Sequence, residues 1–226
     1  MQQIFSEQGI RLAGRGHYLP DTVRSNAEVV AAGQLPIDDA WIRKRIGVQQ
    51  RHVAAPEQNT SDLGLAAARM ALTESHTQPE ELDLILVSTI SPDHPSPATA
   101  CAIQAALGNT HCPAFDITAA CSGFLYGLDI AARYLRTGAH RVLLVSAEIR
   151  SRFVNPRDPA TAAIFGDAAG AVLLESGPVG EGLLGLEILA DGRGYHSVMI
   201  PAGGAARPAS AETVAKGGTF FADAQR

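Results

Sequence analysis

The sequence predicts a layered α/β fold in which helices cover both faces of a mostly parallel sheet. Short apolar runs rich in Val, Ile and Leu recur along the chain, and segments with helical spacing lie between them. The runs are continuously apolar. Because parallel strands need a crossover connection, and the crossover helix buries the strand, this order of elements indicates a parallel sheet covered on both sides.

The elements follow one another as strand, helix, strand, helix, strand. The predicted strands are 82–89 (LDLILVST), 113–117 (PAFDI), 141–147 (RVLLVSA) and 169–175 (AGAVLLE). The predicted helices are 60–75, 96–108 and 122–138. In the first helix, Thr60 or Ser61 is the expected N-cap, and Leu63, Ala67 and Met70 are expected on one face. Gly108 and Gly138 supply stop signals for the other two.

Composition narrows the class of protein. The chain has 226 residues, which is one large domain or two small ones, and its 46% hydrophobic and 18% charged residues exclude disorder. A net charge of −5 without a basic stripe argues against a nucleic-acid partner. The N-terminus does not resemble a signal peptide, and no apolar run approaches the roughly 20 residues of a membrane span. We therefore expect a cytoplasmic protein without membrane contact.

Three cysteines, Cys101, Cys112 and Cys121, form no Cys-x-x-Cys pair. An odd number without such pairs fits neither a disulfide framework nor a zinc site, so no bound metal is expected. Cys101 lies mid-helix among alanines and Cys112 precedes a proline, and we expect both in the core as small hydrophobic residues.

Cys121 has a different setting, because it follows the strand PAFDI and falls in the first turn of the next helix. Unpaired N–H groups and the positive end of the helix dipole favour a thiolate there. Ala119, Ala120 and Gly123 are small enough for a sharp strand–turn–helix elbow of the kind that presents a nucleophile. Placement alone leaves two interpretations open: a catalytic nucleophile, or a small core residue at a tight junction.

Several motifs together resemble the thiolase-like condensing enzymes, and among them the β-ketoacyl-acyl-carrier-protein synthase III group. They keep the order of that family from about residue 10 to residue 200. The motifs are WIRKRIGVQQRHVA (41–54), STISPDHPSPATACAIQAALG (88–108), DITAACSGFLYGLD (116–129), GAHRVLLVSAE (138–148), IFGDAAGAVLL (164–174) and ADGRG (190–194).

The resemblance implies that Cys121 takes an acyl group from a thioester of coenzyme A or acyl-carrier protein. Malonyl-acyl-carrier protein then supplies a carbanion by decarboxylation, which starts a fatty-acid or polyketide chain. It also implies a homodimer and no organic cofactor. Two alternatives stay open: acyl transfer to an oxygen or nitrogen nucleophile without decarboxylation, and a non-catalytic partner subunit of a complete homologue.

The resemblance also points to residues that bind the substrate. Trp41 and Arg45 match positions at the mouth of the pantetheine tunnel, where an aromatic face stacks on adenine and a cation meets phosphate or carrier protein. Phe165 matches a position that lines the acyl channel. Ordinary packing is the alternative for Trp41 and Phe165. Asp167 is expected to be a turn-stabilising carboxylate that binds local backbone N–H groups.

Two departures from the family pattern stand out. Pro159, in NPRDPAT, occupies the position of an arginine that completes the adenine stack, so the donor is a carrier protein or Arg157 takes over that role. The family's His-Gln-Ala-Asn motif is not found around any of the seven histidines. His111 is expected to be a solvated turn residue, and His196 belongs to the tail.

The second departure gives an expectation about domain organisation. Residues 1–200 are expected to form the N-terminal thiolase-like half that carries the nucleophile, and 201–226 a tail or the start of a truncated second half. The second, pseudo-symmetric half would be largely absent. The chain would then be the N-terminal portion of a longer enzyme, or would need a partner for activity.

Overall fold

The structure is a computed structural model that describes residues 2–4, 9–220 and 222–223. The strands are β1 (Gln2–Ile4), β2 (Gly9–Tyr18), β3 (Thr22–Ser25), β4 (Gln50–Val53), β5 (Leu84–Ser88), β6 (Ala114–Ile117), β7 (Arg141–Ile149), β8 (Asp167–Gly177), β9 (Gly185–Glu187), β10 (Val198–Met199) and β11 (Ala222–Asp223). The helices are α1 (Asn26–Gly33), α2 (Asp39–Arg45), α3 (Thr60–Glu74), α4 (Thr99–Leu107), α5 (Gly123–Arg136), α6 (Pro159–Ala162) and α7 (Ala211–Ala215).

The chain forms two compact units, each built from three stretches of sequence. The first unit comprises Met1–Pro20, Ala55–Glu148 and Ala168–Leu189. The second comprises Asp21–Ala54, Ile149–Asp167 and Ala190–Arg226. The expected boundary near residue 200 concerns the two halves of the family fold, and it stays a prediction.

A five-stranded sheet in the order β2-β8-β7-β5-β6 forms the centre of the first unit. Strand β5 runs parallel to both β6 and β7, whereas β2 and β8 are antiparallel. The sheet is therefore mixed, with the parallel part formed by the three strands that alternate with α4 and α5. All four predicted strands are present, and the predicted α/β class is confirmed.

Helices cover both faces of this sheet. Leu84, Ile85, Leu86 and Val87 of β5 are all 0% exposed, although alternate residues of a strand point to opposite faces. Leu84 and Leu86 pack in one apolar cluster with residues of α5. On α3, a side chain added at Gly64 would meet Val145 of β7, so α3 packs against the sheet as well.

The helix ends show where local sequence signals were insufficient. The N-cap of α3 is Asn59, whose N–H donates to the Asp62 carboxylate at 2.7 Å, and not Thr60 or Ser61. Met70 is 47% exposed, because the buried stripe of α3 runs through residues 63, 67 and 71 and their neighbours 64, 68 and 72. Helix α4 begins at Thr99 rather than at residue 96. The Asp116 carboxylate accepts the N–H groups of Thr99 and Ala100 at this helix start.

The second unit contains shorter elements. Strands β3 and β4 form an antiparallel pair, as do β10 and β11. Its buried apolar cluster is small and consists of Leu35, Val154 and Ala162, with further partly buried side chains around it. Ser25 and Asp38 cap α1 and α2 with their side chains. Within the described residues, none of the helices combines the length and hydrophobicity that a bilayer crossing needs.

Candidate functional site

Cys121 lies in a 3₁₀ turn, Ala120–Ser122, between the end of β6 and the start of α5. The sequence predicted it in the first turn of the helix; the α-helix in fact begins at Gly123, with Ser122 as its N-cap. Ser122 N–H donates to the carbonyl of Ala119, and Gly123 N–H donates to that of Ala120. The predicted strand–turn–helix elbow is therefore present, with Cys121 two residues ahead of the helix.

Backbone strain marks the residue just before the cysteine. Ala120 has φ = 47°, a left-handed conformation that side chains with a Cβ rarely adopt. Because such a conformation persists only where the surroundings impose it, the turn is held from both sides, by β6 and by α5. Residues in this conformation concentrate at functional sites.

Two glycines seat α5 directly on the sheet behind Cys121. A Cβ at Gly123 would lie 2.0 Å from Oγ of Ser88 on β5, and one at Gly127 would lie 2.4 Å from Cδ1 of Leu144 on β7. Neither position can carry a side chain without displacing a strand residue. The helix that follows Cys121 is thus fixed to the central strands by close contact, which fixes the turn in place.

The three cysteines differ in accessibility. Cys121 is exposed, and among the described residues no hydrogen bond reaches its sulfur. Cys112 is buried as expected, and burial raises the pKa of its thiol. The expectation that Cys101 lies in the core is wrong: it is exposed, because the buried face of α4 carries Ala100 and Ile103 while Cys101 points away from it.

Neither histidine considered in the sequence is part of a described catalytic arrangement. His111 is exposed, and its backbone N–H donates to Asn109 Oδ1, as expected for a turn residue. His196 is exposed in the second unit, and its ring contacts Tyr195 edge to face at 4.8 Å between centroids.

The remaining predicted site residues lie in the second unit. Trp41 and Arg45 stand on the same helix, α2. Trp41 is 41% exposed and lines a surface pocket with residues 35–38, and Arg45 is exposed at the helix end. Phe165 is half-buried, and the Arg150 guanidinium lies 5.6 Å from its ring centroid. Trp41 and Phe165 line two different cavities of this unit.

Phe165 lines a small cavity of about 80 Å³ that lies wholly within the second unit. Three polar residues and seven apolar ones line it. They are Arg24, Arg51, Ser151, Val29, Ala32, Val53, Val154, Pro156, Ala162 and Phe165. Arg51 was not predicted at this position, since a single arginine in a short polar strand carries no periodic signal.

Asp167 is a structural carboxylate, as expected, but its partners are distant in sequence. It is 2% exposed and accepts hydrogen bonds from the backbone N–H and hydroxyl of Ser151, at 2.8 and 2.6 Å. It also accepts the N–H of Ala54 at 2.8 Å. The carboxylate therefore joins two separate stretches of the second unit rather than stabilising a local turn.

The altered NPRDPAT loop forms an ordinary helix start. Pro159 is the first residue of α6, where its missing N–H costs nothing, and Asp158 caps the helix by accepting the N–H of Ala160 at 3.0 Å. Arg157 is exposed and lines a surface pocket together with Lys216 and Phe220. The proline at the family's arginine position is thus accommodated without distortion, and a cation remains two residues away.

Comparison with known proteins agrees with the motifs around Cys121. Residues 115–192 match the family described as 3-oxoacyl-[acyl-carrier-protein (ACP)] synthase III. The β-ketoacyl-[acyl-carrier-protein] synthase III of Caldanaerobacter subterraneus is 42% identical over 216 residues, which are 95% of this chain and 65% of that protein. Over nearly its whole length the chain is similar to β-ketoacyl-acyl-carrier-protein synthase III enzymes.

Other synthase III enzymes give the same result. A Streptomyces coelicolor synthase III is 46% identical over 203 residues, 88% of this chain and 60% of its own length. The crystal structure of the Pseudomonas aeruginosa synthase III is similar with a TM-score of 0.80 at 36% identity, covering 92% of this chain and 65% of that one. The chain thus spans 60–65% of the length of these relatives.

A polyketide enzyme of the same fold is also similar. The priming β-ketosynthase of a polyketide biosynthetic pathway has a TM-score of 0.77 at 31% identity, covering 87% of this chain and 58% of that one. The thiolase-like architecture predicted from the motifs is confirmed by these structures.

Proposed function

We propose that Cys121 is the acyl-accepting nucleophile of a β-ketoacyl-acyl-carrier-protein synthase III. The observation that carries the proposal is an exposed cysteine, held in a strained turn at the start of α5, in a chain that is similar to these enzymes. The Cys121 sulfur attacks the thioester carbonyl of the donor, and the tetrahedral intermediate expels the thiolate of coenzyme A or acyl-carrier protein.

The second half-reaction uses malonyl-acyl-carrier protein. Loss of CO₂ leaves a carbanion at the α-carbon, which attacks the acyl-cysteine carbonyl; the carbon–carbon bond forms and the Cys121 thiolate leaves. The 226 residues contain no His-Gln-Ala-Asn motif, so none of their histidines is assigned to this step. The Cys121 N–H is the candidate donor to the oxyanion within this chain.

Substrate contacts are proposed for Trp41, Arg45 and Phe165. The exposed Trp41 ring is free to stack on a flat base, and the exposed Arg45 guanidinium one turn along α2 suits a phosphate. Phe165 offers an apolar wall inside the second unit. Pro159 cannot complete a stack on adenine, so we propose Arg157, on a pocket shared with Lys216, as the cation that meets the donor's phosphate or its carrier protein.

We further propose that the chain forms a homodimer in the cytoplasm. In the described sheet, β6 is the last strand, so its outer edge has backbone groups available for pairing, and it leads directly to Cys121. The free thiols at Cys101, Cys112 and Cys121 suit a reducing compartment. Light scattering after size exclusion would measure twice the chain mass for the dimer and the chain mass alone if this is wrong.

Intact-protein mass spectrometry tests the nucleophile. The chain is incubated with a panel of acyl-CoA and acyl-carrier-protein donors, and we expect one acyl group per chain. The adduct should be lost in Cys121→Ala and kept in Cys101→Ala, a matched control because Cys101 is also exposed. An adduct that survives Cys121→Ala would contradict the proposal.

Two further outcomes decide between the alternatives. No adduct with any donor would favour the non-catalytic partner subunit. With an acylated chain and malonyl-acyl-carrier protein, release of CO₂ together with a β-ketoacyl product indicates condensation. Transfer of the intact acyl group to an oxygen or nitrogen nucleophile, without CO₂, would instead identify a simple acyltransferase.

A further inference from the structure

Arg51 is a buried cation whose described partners are all neutral. It is 6% exposed, and one of its terminal nitrogens, Nη2, donates to Asn26 Oδ1 and to the carbonyl of Ala163, each at 2.8 Å. Nη1 donates to the carbonyl of Arg24 at 3.3 Å. In the part of the chain that the structure describes, no carboxylate forms an ion pair with it, and its Nε has no hydrogen-bond partner.

The position of Arg51 is imposed by close packing. A Cβ at Gly166 would lie 2.8 Å from Cβ of Arg51, so only glycine leaves room for the arginine stem. Burial lowers the pKa of the Arg51 guanidinium, which shows that its surroundings disfavour the charge. A buried charge without an opposite charge is costly, and an unpaired N–H adds to that cost. An anion beside the guanidinium group would offset its charge.

The cavity lined by Phe165 is the space available beside Arg51. Arg24, which is exposed, brings a second guanidinium to its wall, and none of the lining residues is acidic. The Ser151 hydroxyl is already donated to Asp167, so it offers no proton to a ligand. The other lining residues are alanine, valine, proline and phenylalanine. Cationic and apolar walls together suit a small amphiphilic anion.

The volume limits the size of such an anion. A cavity of about 80 Å³ has room for several water molecules, or for a group of about five heavy atoms. A chloride or nitrate ion would satisfy the charge but leave the apolar wall without contacts. Water would fill the space but leave the charge uncompensated.

We propose that this cavity of the second unit is a binding site for a short-chain carboxylate. The carboxylate faces the guanidinium groups of Arg51 and Arg24, which both line the cavity, and its alkyl group packs against the valines and Phe165. The site goes beyond the proposed acyl transfer and uses no atom of Cys121. Because Phe165 is also a proposed substrate contact, a carboxylate bound here would touch a residue that the acyl donor uses.

Calorimetric titration with sodium propionate tests the proposal on the full chain at constant ionic strength. We expect saturable binding with one site per chain. Propionamide, a neutral molecule of the same shape, and sodium nitrate, an anion without an alkyl group, should each bind at least about tenfold more weakly, because each loses one of the two contacts. Equal binding of propionate and either control, or no saturable binding, would overturn the proposal.

Variants locate the site without disturbing the Arg51 hydrogen bonds. Ala32 is exposed at the cavity wall, so Ala32→Leu should narrow the cavity while the chain still folds, and reduce propionate affinity about tenfold or more. Arg24→Gln should weaken binding about two- to fivefold, as expected for an exposed charge. Arg207→Gln, an exposed arginine of the same unit outside the cavity, should leave affinity unchanged.

Two results from these variants decide the outcome. Unchanged affinity in Ala32→Leu, in a chain whose circular dichroism matches the original, would place propionate elsewhere and overturn the site. Cys121→Ala should bind propionate as the original chain does, which separates this inference from the proposed nucleophile. A carboxylate that binds only when Cys121 is present would contradict the proposed location.

Discussion

Among the described residues, the first unit buries no charged side chain, whereas the second buries Arg51, Arg150 and Asp167. The buried polar residues of the first unit, such as Ser88 and Asn109, are all uncharged. Its core consists of aliphatic side chains on the continuous strands and on the helices that cover them. The second unit has a small apolar cluster and relies on carboxylate, amide and guanidinium groups that bind backbone atoms.

The difference follows from the lengths of the elements. The strands of the first unit pair over many residues, so backbone bonds and apolar burial together specify the sheet. In the second unit three separate stretches meet with little regular structure. Side chains there supply hydrogen bonds to the backbone that strand pairing supplies in the first unit. Such partners are specific in geometry and costly when one is removed. The comparison therefore predicts that single polar substitutions harm the second unit more than the first.

The largest expected effect is that of Asp167→Ala. It leaves two backbone N–H groups and the Ser151 hydroxyl without their acceptor, and we expect a loss of about 3 kcal/mol in the free energy of unfolding. Urea unfolding measures the loss, and hydrogen exchange should show it at Ala54 and Ser151. Asp191→Ala, at an exposed ion pair, should cost less than about 1 kcal/mol. Equal losses would show that the buried Asp167 carboxylate stabilises the second unit no more than an exposed ion pair of the same unit does.

This polar network was also the part least accessible from the sequence. The four strands and the class of the sheet were predictable because periodic apolar patterns are local. The Asp167 bond to Ala54 joins residues 113 positions apart, and no pattern in either stretch specifies it. Because only the local sequence was available, Asp167 was expected to bind backbone N–H groups of its own turn.

The candidate nucleophile was more predictable than its surroundings. Small residues around Cys121 indicated the sharp turn, and the structure contains it, with Cys121 two residues before the start of α5 rather than in its first turn. The strain falls on Ala120, which no propensity indicates, because it arises from the fit between β6 and α5. The exposure of Cys101 was missed since a mid-helix cysteine among alanines fits either face of α4.

Overpacking in the first unit should give the next largest effect. Gly123→Ala places a methyl group against Ser88 Oγ, and we expect a loss of about 2 kcal/mol in unfolding free energy. Adding Ser88→Ala removes the hydroxyl and should recover about half, because the Ser88 Cβ stays within 3.2 Å of the new methyl group. Gly192→Ala, which meets no atom within 4 Å, is the control. No recovery in the double variant would show that the backbone, and not Ser88, limits the site.

Ion pairs at the sheet surface test whether charges matter in the first unit. Glu175 on β8 binds its cross-strand partner Arg11 and also Arg141 on β7. Burial acts to raise the pKa of Glu175, but hydrogen bonds from the two arginines outweigh it and leave the pKa below its ordinary value. The carboxylate therefore stabilises the fold at neutral pH, and this contribution disappears as pH falls through the lowered pKa.

Glu175→Gln should accordingly cost about 1 kcal/mol at pH 7, and this cost should disappear as pH falls through the lowered pKa of Glu175. Chemical unfolding of both proteins from pH 7 downwards measures the difference. Glu187→Gln, at an exposed residue of the same unit, is the control. A constant difference at all pH values would mean that Glu175 acts through packing.

The smallest effect should be a gain. The left-handed backbone of Ala120 carries steric strain that a glycine would not have. Ala120→Gly should therefore stabilise the first unit by about 0.5–1 kcal/mol, although glycine also gives the unfolded chain more conformational freedom. Ala102→Gly, at an exposed position inside α4, should instead destabilise by about 1 kcal/mol. Thermal unfolding of the pair gives the sign directly. If both variants lose stability, Ala120 is held without strain, and the turn that presents Cys121 is no more constrained than an ordinary helix position.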